Sequence, residues 1–243
     1  MRYVGIAFVF VALVLVGTAS AQHQPSAPAG LRSEHELPSR YPYCVADALK
    51  YCKPEKGFWV DLGAGKGQLT IPLIEVTKNP VLMIDPDMEA MAEGLRLARE
   101  KGLGDRLSAV VGVAEDLPLL DDSVDLLVSR GSIFFWDDPA KGLKEVYRVL
   151  RPGAKAYIGG GAGSGYPKDA AEILIQGRKD RMQGEEAEKW LNFVELRTPE
   201  QMKKWVEEAG LSHCTIMGKG AISAEDARVG QGIWVLIEKP AKE

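Results

Sequence analysis

The sequence predicts an α/β fold built on a largely parallel, doubly wound sheet. Three observations carry that expectation. An apolar strand over 58–62 runs into the turn Gly63-Ala64-Gly65-Lys66-Gly67, and a second apolar strand over 81–85 ends in Asp85. Further apolar runs over 107–111 and 124–129 lack polar alternation, as in strands buried on both faces. Strand and helix signals alternate along the chain, which favours parallel strands joined by crossover helices.

Each element follows from local signals. A short helix over 43–51 leads into the first strand. Asp85-Pro86 opens a long helix that Gly102 closes, with Pro in the first turn. Asp138-Pro139 starts the next helix, whose apolar positions Leu143, Val146, Tyr147 and Leu150 share one face. Arg151-Pro152-Gly153 ends it, and a fifth strand covers 154–159. Thr198-Pro199-Glu200-Gln201 fits a capping box, and Gly210 closes that helix. Two last strands are expected over 211–217 and 232–238, with His213 packed in the first of them. The segment 160–197 breaks the alternation. Its glycines read as a mobile loop, and the whole as a lid or substrate-facing insertion.

The chain has 243 residues, enough for one domain with a sizeable core, and a formal charge of −4. No basic excess suggests nucleic acid. The cluster Arg178-Lys179-Asp180-Arg181 sits near Glu185, Glu186 and Glu188 and reads as a solvated helix face. Residues 1–21 combine Arg2, an apolar run over 3–16 and Ala19-Ser20-Ala21, the form of a cleavable secretory signal. An uncleaved N-terminal membrane anchor is the alternative, although the run is short of the roughly 20 residues a span needs. Residues 22–38, rich in Pro, Ala, Ser and Gln, read as a flexible linker, leaving 39–243 as the folded domain. Cys44, Cys52 and Cys214 form no C-x-x-C pair, so no metal site is expected. Cys44 and Cys52, eight residues apart on a helix, lie about 12 Å apart along its axis, too far for a disulfide.

The glycine-rich turn carries the functional signal. A Walker loop needs a glycine where Val60 stands and Ser or Thr where Gly67 stands. A dinucleotide fingerprint needs a third glycine where Gln68 stands. A carboxylate ending the second strand can accept hydrogen bonds from both ribose hydroxyls of a nucleoside. These residues resemble the first two motifs of class I S-adenosylmethionine-dependent methyltransferases. The stretch Gly112 to Leu119 with Asp121-Asp122-Ser123-Val124-Asp125 resembles the third, and Glu145 to Gly153 the fourth. The resemblance runs from about Arg40 to Lys239 and is nearest the ubiquinone and menaquinone biosynthesis group.

It implies a Rossmann-like, doubly wound sheet of seven strands whose last is antiparallel, and S-adenosylmethionine as methyl donor. It implies that Gly63 and Gly65 pass beneath the methionine part, that Asp61 helps hold its amino group, that Asp85 takes the ribose hydroxyls, and that Ala114 and Glu115 lie against adenine. Val113 stands where the family usually has an acidic residue, and Ala154 replaces the last glycine of the fourth motif. Ser129-Arg130-Gly131-Ser132 is unlike the N-P-P-Y of DNA amino methylators, so a small-molecule acceptor is expected. Ligands in such sheets sit beyond the carboxyl ends of the strands, which nominates Arg130 for an anionic acceptor and Trp136 and Tyr166 as walls for an apolar one. An exported, non-catalytic nucleoside-binding module is the competing reading, and a nicotinamide-dependent oxidoreductase a third.

Overall fold

The computed structural model describes residues 36–223 and 225–241. The leader expected over 1–21 and most of the linker over 22–38 lie outside them. Seven strands form one sheet: β1 (Trp59–Leu62), β2 (Val81–Asp85), β3 (Leu107–Val111), β4 (Val124–Arg130), β5 (Leu150–Gly161), β6 (Cys214–Gly220) and β7 (Gly232–Glu238). Their order is β3-β2-β1-β4-β5-β7-β6. The first five strands pair in parallel, and β7 runs antiparallel to both β5 and β6, as the resemblance implies. The order reverses at β1, between β2 and β4, which is where an open α/β sheet presents its ligand crevice.

Successive side chains on each strand point to opposite faces, so one sheet builds two cores. On one face Val60, Leu62, Leu82 and Ile84 meet α4 (Pro139–Val149) and α7 (Pro199–Glu208). On the other, Trp59, Val81 and Met83 meet α1 (Tyr41–Cys52), α2 (Thr70–Val76) and α3 (Met88–Glu100). Two helices, α5 (Lys168–Arg181) and α6 (Ala187–Glu195), lie between β5 and α7 in the chain.

Several expectations are corrected. β3 is an edge strand and is only partly buried, because a single neighbour covers it. Pro86 precedes the helix rather than opening it: Asp87 is the cap, its Oδ1 accepting from the Ala90 amide at 2.9 Å. The caps at Asp138 and Thr198 are as expected, accepting from the Lys141 and Gln201 amides. His213 is exposed and precedes β6, so it is not a core histidine. The glycine run expected as a loop is strand in its first part, because β5 extends to Gly161. Gly159 to Gly161 complete β5 against β7, where a Cβ on Gly161 would lie 2.3 Å from the Gln231 carbonyl oxygen. Ser164 then anchors the chain to α1, its amide donating to Asp47 Oδ2 at 2.7 Å. Glycine is required there because a neighbouring backbone approaches, not because the chain must move.

Candidate active site

A cavity of about 600 Å³ opens beyond the carboxyl ends of β1, β2 and β4. That is a ligand-sized volume. Its floor is the glycine-rich turn, and Gly63 sits there at φ +70°. Ser132 passes directly over Gly63 and ties three parts of the wall together. Its hydroxyl donates to the Leu62 carbonyl at 3.2 Å, lies 2.6 Å from the Ser129 hydroxyl, and accepts from Trp136 Nε1 at 3.2 Å. Asp85 closes the β2 side, with Oδ2 accepting from the Gly65 amide at 2.8 Å and Oδ1 from the Asp87 amide at 2.9 Å. Both carboxylate oxygens are thereby aimed, and each keeps a second lone pair for a ligand hydroxyl. Glu115 is held against the segment entering α4, where its Oε1 accepts from the Asp138 amide at 3.1 Å.

Of the residues nominated from sequence, Gly63, Asp85, Ala114, Glu115, Arg130 and Trp136 all line this one cavity. Gly65 stands beside it, hydrogen-bonded to Asp85, and open space faces the position its Cβ would take. Two nominees are placed elsewhere. Asp61 is 1% exposed on the opposite face of β1 and accepts from the Thr70 hydroxyl at 2.5 Å. Burial, with the nearby charge of Asp85, pushes its carboxyl up to about 7 against the Thr70 hydrogen bond. Tyr166 does not wall the cavity. It packs edge-on against Tyr43 in a separate small core, and its hydroxyl donates to the Pro38 carbonyl at 3.1 Å. Phe135 and Asp137, which follow the fourth strand with Arg130 and Trp136 and have no role assigned from sequence, also line the cavity. Phe135 is 78% exposed, an aromatic standing in the open beside a cleft, and no periodicity marks such a position in advance.

The first amides of the turn are engaged within the protein. Those of Gly63 and Ala64 donate to the Ile84 carbonyl at 2.7 and 3.2 Å, and that of Gly65 to Asp85. The turn thereby holds its backbone open to close approach by a ligand. S-adenosylmethionine suits such a site: it offers ribose hydroxyls for Asp85 and a flat base for the Ala114 and Glu115 wall. Among the described residues no cluster of His, Cys, Asp or Glu could hold a metal ion, and no helix is long and apolar enough to cross a membrane.

Sheet order, switch point and cavity together define the class, an α/β domain of the methyltransferase type. Residues 60–158 match the family model described as a methyltransferase domain. The chain is 38% identical over 100 residues to the chloroplastic 2-methyl-6-phytyl-1,4-hydroquinone methyltransferase of Arabidopsis thaliana, covering 41% of this chain and 28% of that protein. It is 29% identical over 198 residues to the dimethylglycine N-methyltransferase of Parasynechococcus marenigrum, covering 81% and 63%. The chain thus spans less than two thirds of the curated relatives it is compared with here. Among solved structures, a protein from Methanococcus maripaludis assigned to the S-adenosyl-L-methionine-dependent methyltransferases superposes with a TM-score of 0.67 at 27% identity, covering 84% of this chain and 87% of that one. Over residues 60–158 the chain is thus similar to methyltransferase domains, and its fold is similar to that of an S-adenosyl-L-methionine-dependent methyltransferase.

Proposed function

We propose that the protein transfers the methyl group of S-adenosylmethionine to a small-molecule acceptor. The observation that carries this reading is the glycine turn bonded to Asp85 at the floor of a ligand-sized cavity. The relatives' small acceptors, a hydroquinone and dimethylglycine, support the substrate class. Nothing favours the oxidoreductase or the non-catalytic reading.

S-adenosylmethionine, when bound, supplies a methyl group on a sulfonium, already joined to a good leaving group. The protein's task is then orientation, which can supply several kcal/mol of the barrier. Asp85 fixes the nucleoside end. Trp136, held by its indole hydrogen bond to Ser132, offers a rigid wall. Arg130 is similarly fixed, its Nε and Nη2 donating to the Gly161 carbonyl at 3.1 and 2.9 Å while its guanidinium lies 4.6 Å from the centre of the Tyr41 ring. None of the described residues lining the cavity is a histidine. A positioned acceptor needs none unless it must lose a proton.

Asp85→Ala is expected to weaken S-adenosylmethionine binding by about 1–3 kcal/mol, the range for lost hydrogen bonds to a charged acceptor. Titration calorimetry on the folded wild type and variant measures it. No heat with either S-adenosylmethionine or its demethylated product would sink the reading, and tight binding of a nicotinamide dinucleotide would replace it. Incubation with cell extract and labelled S-adenosylmethionine then identifies the acceptor, and saturable binding without label transfer would leave a binding module.

The secretory reading of residues 1–21 remains part of the proposal. It rests on Arg2, the apolar run and Ala19-Ser20-Ala21. N-terminal sequencing of the native protein is expected to begin at Gln22. An intact Met1 in a soluble cytoplasmic fraction would exclude both the signal and the anchor.

A further inference from the structure

A second cavity, of about 250 Å³, adjoins the first and shares Arg130, Gly131 and Phe135 with it. Four arginines from four separate stretches of chain converge on it. Arg40 precedes α1, Arg130 ends β4, Arg178 lies in α5, and Arg197 joins α6 to α7. Arg178 and Arg197 are only 9% and 8% exposed. Among the described residues lining this cavity there is no Asp or Glu. Arg40, Arg130 and Arg197 form no ion pair with any described carboxylate.

Aromatic faces and backbone carbonyls hold the group in place. The Arg197 guanidinium lies 3.6 Å from the centre of the Phe193 ring and 4.0 Å from that of Phe134, and its Nη1 donates to the Phe193 carbonyl at 2.9 Å. Arg178 Nη1 donates to the Ala221 carbonyl. These contacts fix the Arg197 guanidinium but do not neutralise it. Burial, followed by the charges of Arg178 and Arg130, pulls Arg197 down to about 9, and burial with Arg130 lowers Arg40. Like charges gathered in a half-dry cleft repel one another, and a bound anion removes that repulsion. A guanidinium also leaves five N–H donors in a planar fork, so Arg130 and Arg197 keep donors beyond those already engaged.

We propose that this cavity receives the oxyanion group, a carboxylate or a phosphate, of the methyl acceptor, whose apolar body crosses Phe135 to reach the methyl donor. The two cavities meet at Phe135, and its exposed ring is an apolar bridge between an anion pocket and a nucleoside pocket. The assignment rests on the methyltransferase reading for the word acceptor; the anion site itself does not.

The test is binding of inorganic phosphate and of benzoate to the full chain at constant ionic strength, by calorimetry and thermal shift, with and without S-adenosylhomocysteine. Saturable binding of at least one probe is expected, and the tighter of the two identifies the head group. Arg40→Gln and Arg197→Lys should each weaken it by about tenfold or more, since one loses a charge and the other the planar fork. Arg40 is half-buried at a helix start, so Arg40→Gln keeps the test available if the Arg197 variant fails to fold. Equal binding by wild type and Arg40→Gln, or no saturable binding of either probe, would overturn the anion site. If S-adenosylmethionine binds and neither anion does, the subsite falls and the methyltransferase reading stands. If an anion binds and S-adenosylmethionine does not, the reverse holds.

Discussion

Gly63→Ala is expected to abolish S-adenosylmethionine binding and to lower stability by about 3 kcal/mol, combining left-handed backbone strain with overpacking. Gly63 holds φ +70°, and an added Cβ would fall 2.1 Å from the Ser132 Cβ and 2.4 Å from its Oγ. Neither partner can yield cheaply. Ser132 is hydrogen-bonded to the Leu62 carbonyl, the Ser129 hydroxyl and the Trp136 indole, so displacing it loosens the end of β1, the end of β4 and the cavity wall at once. Urea denaturation reads the stability term and titration calorimetry the binding term. A variant with wild-type affinity would show that the turn does not form the floor of the donor site. Gly65→Ala is the informative companion. Its φ of +49° is also left-handed, but nothing lies within 4 Å of the added carbon, so the fold should survive while the ligand's space shrinks.

The second large effect is on pH dependence. Asp61 is fully buried and its carboxyl is pushed up to about 7, chiefly by burial. In the unfolded chain an aspartate titrates near ~3.9. Between those values the folded state holds a proton that the unfolded state has released, so stability is fully present below about pH 4 and falls as pH rises towards 7. Each pH unit in that window removes up to about 1.4 kcal/mol. Asp61→Asn cannot ionise and still offers the Thr70 hydroxyl an acceptor. It is expected to flatten the profile and to be more stable than wild type at pH 8 by about 2–3 kcal/mol. Urea midpoints at pH 5 and pH 8 compare the two proteins. Equal slopes would mean that Asp61 stays ionised across the range.

The site was legible in the sequence where its chemistry is local. Gly63 and Asp85 are separated by one helix, and the strand-turn-helix-strand pattern places them together without knowledge of the remaining fold. The caps at Asp138 and Thr198 are equally local. The failures share one cause, contacts between distant segments. Arg178 looked solvated because its neighbours in sequence are charged, yet α5 turns it inward onto Ala221, 43 residues away. Arg40, Arg130, Arg178 and Arg197 form a group only in three dimensions, and no spacing announces it. Gly160 and Gly161 looked like loop because glycine weakens a strand in isolation, whereas here they pair with β7, and its backbone approaches Gly161 too closely for a side chain. Tyr166 was nominated from its position after the fifth strand. The turn at Gly163, where a Cβ would lie 2.6 Å from the Tyr43 carbonyl carbon, packs it against Tyr43 of α1 instead.

The position of β7 has a consequence for biosynthesis. β6 leaves the ribosome before β7, yet its neighbour in the sheet is β7, which itself lies between β6 and β5. The native partner of β6 therefore does not exist until β7 has been made. β5 meanwhile presents an open edge, its glycines lying bare, a form of surface that invites pairing with other chains. The nascent domain must hold that edge open while α5, α6, α7 and β6 are translated, so closure of the sheet is a late event that follows synthesis of the last strand. Removal of the final strand is therefore expected to lower the yield of soluble protein by leaving the β5 edge unpaired.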